Sequence, residues 1–209
     1  MIIKRTLRPG QIVFYQGEAS LQTFRVTKGL VRAYIIHDSG DEATIAYFGP
    51  DDLFPIASTF DIAPVTLFYY ETVTETTVEV MNRQELDAYL QTHSSEEIHR
   101  FAGRYVGALL HVTALTQTSA RAKLAHTMRY LAIRFGERSL DKTKLRIPIK
   151  LTQQDVARLC NASRETMSIE LGRLKDDGII SVKEKHYIVH FQKLNDLISD
   201  DTAPEIRLG

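Results

Sequence analysis

The chain has 209 residues, 44% apolar and 25% charged, which allows one large globular domain or two small ones with cores of their own. Nothing behind Met1-Ile2-Ile3-Lys4-Arg5 resembles the apolar segment of a secretory leader, and no run approaches the roughly 18 apolar residues of a membrane span, so no membrane partner is expected. The single cysteine, Cys160, excludes an internal disulfide and suits a reducing, cytoplasmic location. The net charge of zero hides an asymmetry. Residues 1–93 carry 7 basic and 12 acidic side chains, whereas residues 121–195 carry 16 basic and 8 acidic. An acidic front and a basic back predict two domains with different partners, the basic one suited to a polyanion.

Residues 1–92 read as β structure. Runs rich in Val, Ile, Phe, Tyr and Thr recur at Ile12–Tyr15, Phe24–Thr27, Leu30–Ile36, Thr44–Phe48, Tyr69–Thr74 and Thr77–Val80. Turn signals separate them at Pro9-Gly10, Gln16-Gly17, Lys28-Gly29, Asp38-Ser39-Gly40 and Gly49-Pro50-Asp51. Short strands at this spacing predict an antiparallel barrel or jelly roll that begins almost at the first residue.

The pattern changes at about residue 93. From Ser94 to Ser119 there is no proline, and Ile98, Phe101, Tyr105, Ala108, Val112 and Leu115 fall at alternating steps of three and four. That is the seam of a helix that pairs with a second copy, extended by the small residues Ser119 and Ala122. The bland alternative packs the stripe on the chain's own barrel. A second helix is predicted over Ala120–Phe135, with Leu124, Met128, Leu131 and Phe135 on its core face and Gly136 ending it. The basic stretch Arg138–Lys150 reads as a linker, and residues 200–209 are expected to fray.

Leu151–Phe191 carries the strongest functional signal. Thr152 and Asp155 have the spacing of a capping box, so a helix starts there and runs to about Leu159. Ala157 is small where two helices must cross. Asn161 stands where the turn needs a left-handed residue, and Ser163 caps the next helix, about 163–175, whose buried stripe is Met167, Leu171 and Leu174. At 100° per residue, Glu165, Ser168, Ile169 and Gly172 face away from that stripe, with Arg164 on the flank. Such a face predicts major-groove reading: Arg164 toward guanine O6/N7, Glu165 toward cytosine N4, with Ser168 and Ile169 beside them. Backbone contacts are expected from Thr152, Gln153, Ser163 and Thr166, and from Lys183 and Lys185 at the tip of a hairpin made by Ile179–Val182 and Tyr187–Phe191. Duplex DNA is therefore the expected partner.

At these residues the chain resembles the Crp–Fnr family of bacterial transcription regulators. Leu151-Thr152-Gln153-Gln154-Asp155-Val156-Ala157 through Asn161-Ala162-Ser163-Arg164-Glu165-Thr166 is similar to the family's DNA-binding signature. Pro9-Gly10 to Gly17-Glu18, Thr27–Arg32 and Gly49–Phe54 look like its barrel landmarks. The resemblance implies an α+β architecture. An antiparallel, cyclic-nucleotide-binding-like β-barrel (1–93) is joined by a dimerisation helix (94–119) to a winged helix-turn-helix (120–209). It also implies a homodimer on near-palindromic DNA, with RNA polymerase as a further partner if it activates.

Departures from the family pattern limit the expected cofactors to none. Members that bind cyclic nucleotides hold the phosphate with a Gly-Glu after the Phe and an Arg-Ser downstream. Here Phe54 is followed by Pro55-Ile56, the downstream stretch Thr66–Tyr70 has no arginine, and the dimer-helix polar pair is matched by Ala108-Leu109. A buried phosphate without a cation is costly, so cyclic AMP and cyclic GMP are not expected to bind. One cysteine cannot hold an iron–sulfur cluster. Haem has only the scattered His37, His93, His99 and His111 to draw on. Two readings remain for the sensor. Either an apolar effector sits near Phe54, Phe68 and Tyr69, or these aromatics fill the old pocket. Ile169 stands where many relatives have arginine, which predicts contact with a thymine methyl. A cupin-type enzyme would need a metal cluster that the barrel's lone His37 cannot supply, and no catalytic motif appears. A ligand-binding or scaffold protein whose helix-turn-helix meets protein is the remaining alternative.

Overall fold

The computed structural model describes residues 2–60, 62–139 and 141–198; the fraying expected at 200–209 lies outside them. The chain divides into two compact units, Met1–Phe101 and Ala102–Gly209.

In the first unit the strands are β1 (Ile3–Leu7), β2 (Ile12–Phe14), β3 (Thr23–Lys28), β4 (Val31–Ile36), β5 (Glu42–Phe48), β6 (Leu53–Phe54), β7 (Tyr69–Thr72) and β8 (Thr76–Met81), with a short α1 (Ile56–Thr59) after β6. The expected jelly roll takes the form of two antiparallel four-stranded sheets, ordered β1-β8-β3-β6 and β2-β7-β4-β5. Period-two alternation turns Val31, Ala33, Phe48, Tyr70, Val78 and Val80 into a shared core with Phe14, Phe24, Val26 and Phe54. The sequence landmarks have local causes. Gly29 has φ +92°, and a Cβ there would collide with the Glu75 carbonyl oxygen, so only glycine joins β3 to β4. Asp52 Oδ2 accepts the Gly49 amide at 2.9 Å and closes the turn before β6.

The long helix α2 (Arg83–Leu115) starts eleven residues earlier than the pattern at Ser94 suggests. Asn82 is its cap: Asn82 Oδ1 accepts from the Glu85 amide, and Glu85 Oε2 accepts from the Asn82 amide, both at 3.0 Å. The expected start coincides instead with a break in helical geometry at His93 (φ −121°, ψ 17°). The helix ends at Leu115 rather than 119. Ser119 and Ala122 are not part of its seam, because the Ser119 side chain caps α3 (Ala120–Phe135) by accepting from the Ala122 amide at 3.1 Å.

The second unit continues with β9 (Glu137–Arg138), β10 (Lys144–Lys150), α4 (Gln153–Cys160), α5 (Arg164–Asp176), β11 (Ile180–Lys183), β12 (His186–His190) and α6 (Phe191–Ile198). Its sheet runs β11-β12-β10-β9. The basic stretch read as a linker is thus mostly strand: Leu145, Ile147 and Ile149 point inward while the residues between them are more exposed. Pro148 sits where the β10–β12 register shifts, the place a strand tolerates a missing amide. Leu124, Met128, Leu131, Ile147, Leu159, Met167, Leu171, Leu174 and Leu194 are fully buried in this unit. Phe191, expected at the end of a strand, opens α6 instead.

Candidate nucleic-acid interface

The helix-turn-helix forms from local chemistry. Thr152 Oγ1 accepts from the Asp155 amide at 3.2 Å, while Asp155 Oδ2 accepts from the Thr152 amide at 2.8 Å, which completes the expected capping box. The α4 helix ends at Asn161, whose φ of 46° and ψ of 58° are left-handed, as the turn requires. Ala157 is fully buried, and its carbonyl accepts from both Asn161 and Ala162. Ser163 then caps α5 by accepting from the Thr166 amide at 3.2 Å.

The α5 helix buries Met167, Leu171 and Leu174 and leaves Arg164, Glu165, Ser168 and Ile169 exposed. Ile169 keeps 57% of its surface in solvent on this otherwise polar face. Glu170 is also buried on this helix, with Oε1 accepting from Arg173 Nη1 at 2.6 Å; no hydrophobic period marks it in the sequence. Arg121 at the start of α3 bonds Asp177 just past α5 at 2.6 Å.

The wing is a two-residue hairpin. Lys183 pairs with His186, and Glu184 (φ 53°) and Lys185 (φ 65°) form the turn in the primed geometry that hairpins favour. Lys183 and Lys185 are exposed. The structure places the capped start of α4, the capped start of α5 and the wing tip in one unit. Gln153 is half-buried and Thr166 is partly covered. The Thr152 hydroxyl donates to Asp155 Oδ2 at 2.6 Å, so its proton is already engaged. Ser163 and Thr166 share a hydrogen bond between their hydroxyls at 2.9 Å.

Of the helix seam, Ile98, Phe101, Tyr105, Ala108 and Val112 are exposed and Leu115 is partly covered. A second face of the same helix, about 120° round from the seam, is buried at Gly107, His111 and Ala114.

Of the candidate effector residues, Phe54 and Phe68 share one aromatic cluster and Tyr69 lies apart from it. Phe54 is fully buried, stacked on Tyr70 (centroids 5.4 Å apart, 23° between planes) and in contact with Phe24 and Phe48 at 5.5 and 5.8 Å. Phe68 packs against the same cluster. Tyr69, one residue from Tyr70 on β7, points to the other face and stacks on Tyr34 at 5.1 Å. The expected pocket of Phe54, Phe68 and Tyr69 is therefore split across a sheet. The domain's buried cation, Arg32, is held by Glu42 and Glu71 at 2.7 Å each, and Arg25 by Glu79 and Asp51. Thr66, in the downstream stretch, donates to the Tyr15 carbonyl. The scattered histidines have local roles: His93 stacks on Tyr89, and His111 Nε2 donates to the Leu159 carbonyl at 3.0 Å. Cys160 is buried beside Thr127, and burial pushes its thiol up to about 11. Among the described residues no helix is long and apolar enough to cross a membrane.

A jelly-roll unit, a long helix with an exposed apolar seam and a capped helix-turn-helix with a wing define a DNA-binding regulator with a sensor-type domain. Comparison with known proteins agrees. Residues 4–93 match the family model for the cyclic nucleotide-binding domain, and residues 122–197 match that for the Crp-like helix-turn-helix domain. The chain belongs to the Crp–Fnr family of transcription regulators and binds DNA through its helix-turn-helix. It is 29% identical to the CRP-like cAMP-activated global transcriptional regulator of Mycobacterium tuberculosis, over 86% of this chain and 80% of that protein. It is 23% identical to the global nitrogen regulator of Synechocystis, over 90% and 84%. Its fold is shared with FixK2 from Bradyrhizobium japonicum (TM-score 0.76, 19% identity, 94% of this chain and 97% of that one).

Proposed function

We propose that the chain acts as a homodimer on near-palindromic DNA, inserting α5 into the major groove of each half-site. The observation that carries this reading is the polar α5 face over a capped N-terminus; the exposed apolar seam of α2, which a second copy can cover, supports the dimer. Arg164 reads guanine through O6 and N7, Glu165 accepts from cytosine N4, and Ser168 lies between them. Ile169 packs on a thymine methyl, so the half-site favours thymine at that step. Phosphates meet the first amides of α4 near Gln153, the Ser163–Thr166 corner and the lysines Lys183 and Lys185. Activation requires RNA polymerase as a further partner.

The sensor unit works without cyclic AMP, cyclic GMP, haem or an iron–sulfur cluster. The aromatic packing around Phe54 and the pairing of Arg25 and Arg32 with carboxylates support this reading. It separates the chain from its cAMP-activated relative.

Selection from a random duplex pool, with no small molecule added and at near-physiological salt, tests the DNA reading. The expected product is a palindrome with guanine and cytosine at the Arg164 and Glu165 positions and thymine beside Ile169. Ile169→Ala should relax only the thymine. Binding without sequence preference, or a strong second guanine lost on Ile169→Ala, refutes the assignment. Calorimetry with cyclic AMP should show no heat; a specific micromolar site overturns the sensor reading.

A further inference from the structure

The His111 ring ties the seam helix to the helix-turn-helix. It is buried, and its Nε2 donates to the Leu159 carbonyl at 3.0 Å. A carbonyl only accepts, so the proton must sit on Nε2. The ring lies flat against Tyr130 of α3, with centroids 5.1 Å apart and 7° between planes. One turn earlier on α2, Gly107 lets the helices approach: a Cβ there would stand 3.4 Å from the Tyr130 ring and 3.3 Å from Arg134.

The acceptor matters as much as the donor. Leu159 lies in the last turn of α4, where carbonyls have no intrahelical partner. The Asn161 and Ala162 amides both turn back to the Ala157 carbonyl and leave that of Leu159 for His111. Leu159 is fully buried, so water is a poor substitute. Four residues further on, past the left-handed corner at Asn161, Ser163 caps the recognition helix. His111 therefore anchors the turn that launches α5. Its neighbours on the other side of α2, Ala108 and Val112, are exposed seam residues.

We infer that His111 is a positioning residue that fixes the recognition helix relative to the dimer axis and so sets the half-site spacing the protein accepts. The inference rests on the dimeric, palindromic reading above. With the α2 seams paired, this hydrogen bond and ring stack tie the seam helix directly to the turn before the reading face, alongside the packing of α3 on α4 and α5. Half-sites one helical turn apart lie about 34 Å centre to centre, and one added base pair moves a site by about 3.4 Å and rotates it, so a loosened anchor shows first as tolerance of wrong spacing.

The test uses the full chain, the palindrome recovered from the random pool and two versions with the centre one base pair longer or shorter. His111→Phe keeps a ring on Tyr130 and removes the donor; His111→Gln keeps a donor. The wild type should prefer the optimal spacing. His111→Phe should narrow that preference about tenfold, the scale of one buried hydrogen bond, and His111→Gln should recover part of it. Thermal unfolding is followed in parallel. An unchanged spacing preference in His111→Phe overturns the inference. So does an equal loss of affinity for all three duplexes together with a lowered melting point, which marks a role in folding alone. A wild type indifferent to spacing instead overturns the dimeric reading itself, before any substitution is made.

Discussion

Replacing Phe54 by alanine asks whether the interior of the sensor unit is filled. The ring is fully buried and touches four others: Tyr70, Phe24 and Phe48 within 6 Å between centroids, and Phe14 at 6.4 Å. Truncating a buried phenylalanine costs about 3–5 kcal/mol, and each aromatic pair adds about 0.5–1.5 kcal/mol beyond area, so the upper part of that range is expected. With a urea slope of about 2 kcal/mol per molar, the midpoint should fall by about 2 M. The chain has nine tyrosines and no tryptophan, so near-ultraviolet circular dichroism reports tyrosine packing, to which Tyr70 of this cluster contributes one part. The cavity left behind is dry and apolar, and indole or benzene should restore part of the loss, by about 2.7 kcal/mol at a hundred times the dissociation constant. A loss below about 1 kcal/mol in Phe54→Ala refutes the reasoning, because cores at native density do not absorb such a deletion. The pocket would then have slack, and an effector there would regain its case.

Two further outcomes test the second unit. Asn161→Ala places a Cβ-bearing residue without a local hydrogen bond at φ 46°, which costs about 1 kcal/mol, while Asn161→Gly should be neutral or better; thermal melting that ranks alanine above glycine contradicts the corner geometry. Cys160 should resist thiol reagents at pH 7 in the folded protein, since burial pushes its thiol up to about 11 against about 8.5 in an unfolded chain. A folded pKa above the unfolded one means the contribution is complete below about pH 8.5 and is lost as pH rises toward 11. Unfolding midpoints compared at pH 8 and 10.5 should therefore fall less in Cys160→Ala than in the wild type, with Tyr187, pushed up to about 12 by burial, accounting for part of what remains.

How much was legible follows from how local each signal is. Thr152 with Asp155, then Asn161, Ser163 and the stripe Met167–Leu171–Leu174, lie within 23 residues, and each reports on its own backbone. That segment reads correctly from sequence for this reason. The same capping chemistry at Asn82 and Glu85 was equally readable, but the β pattern of residues 1–92 overshadowed it. Strand β10 alternates strictly, yet its outward Lys and Arg and the proline at 148 disguise it as a linker. The Phe68-Tyr69-Tyr70 run misleads because adjacent strand residues face opposite ways, and only pairing with β4 shows that Tyr69 belongs with Tyr34. His111 was out of reach, since its acceptor is 48 residues away and its role exists only once α2 meets α4.

The exposed seam and the buried face of α2 belong to one argument. At 100° per residue, Gly107, His111 and Ala114 cluster on one side, and Ile98, Phe101, Tyr105, Ala108, Val112 and Leu115 fall about 120° away. A stripe packed on its own chain would be covered, but all of these side chains except the partly covered Leu115 are exposed, and Val106 and Leu109 beside them are about half exposed. Burying a large apolar side chain gains about 1.5–3 kcal/mol, so four such residues from each of two copies supply at most about 12–24 kcal/mol before costs. Association costs about 4–15 kcal/mol, so the seam is enough for a dimer without a large surplus. A dimer held at that margin feels what happens on the other side of the same helix. If α2 pairs through this seam as proposed, DNA in the correct spacing should stabilise the pairing, and the pairing should stabilise the grip on DNA, by the same factor.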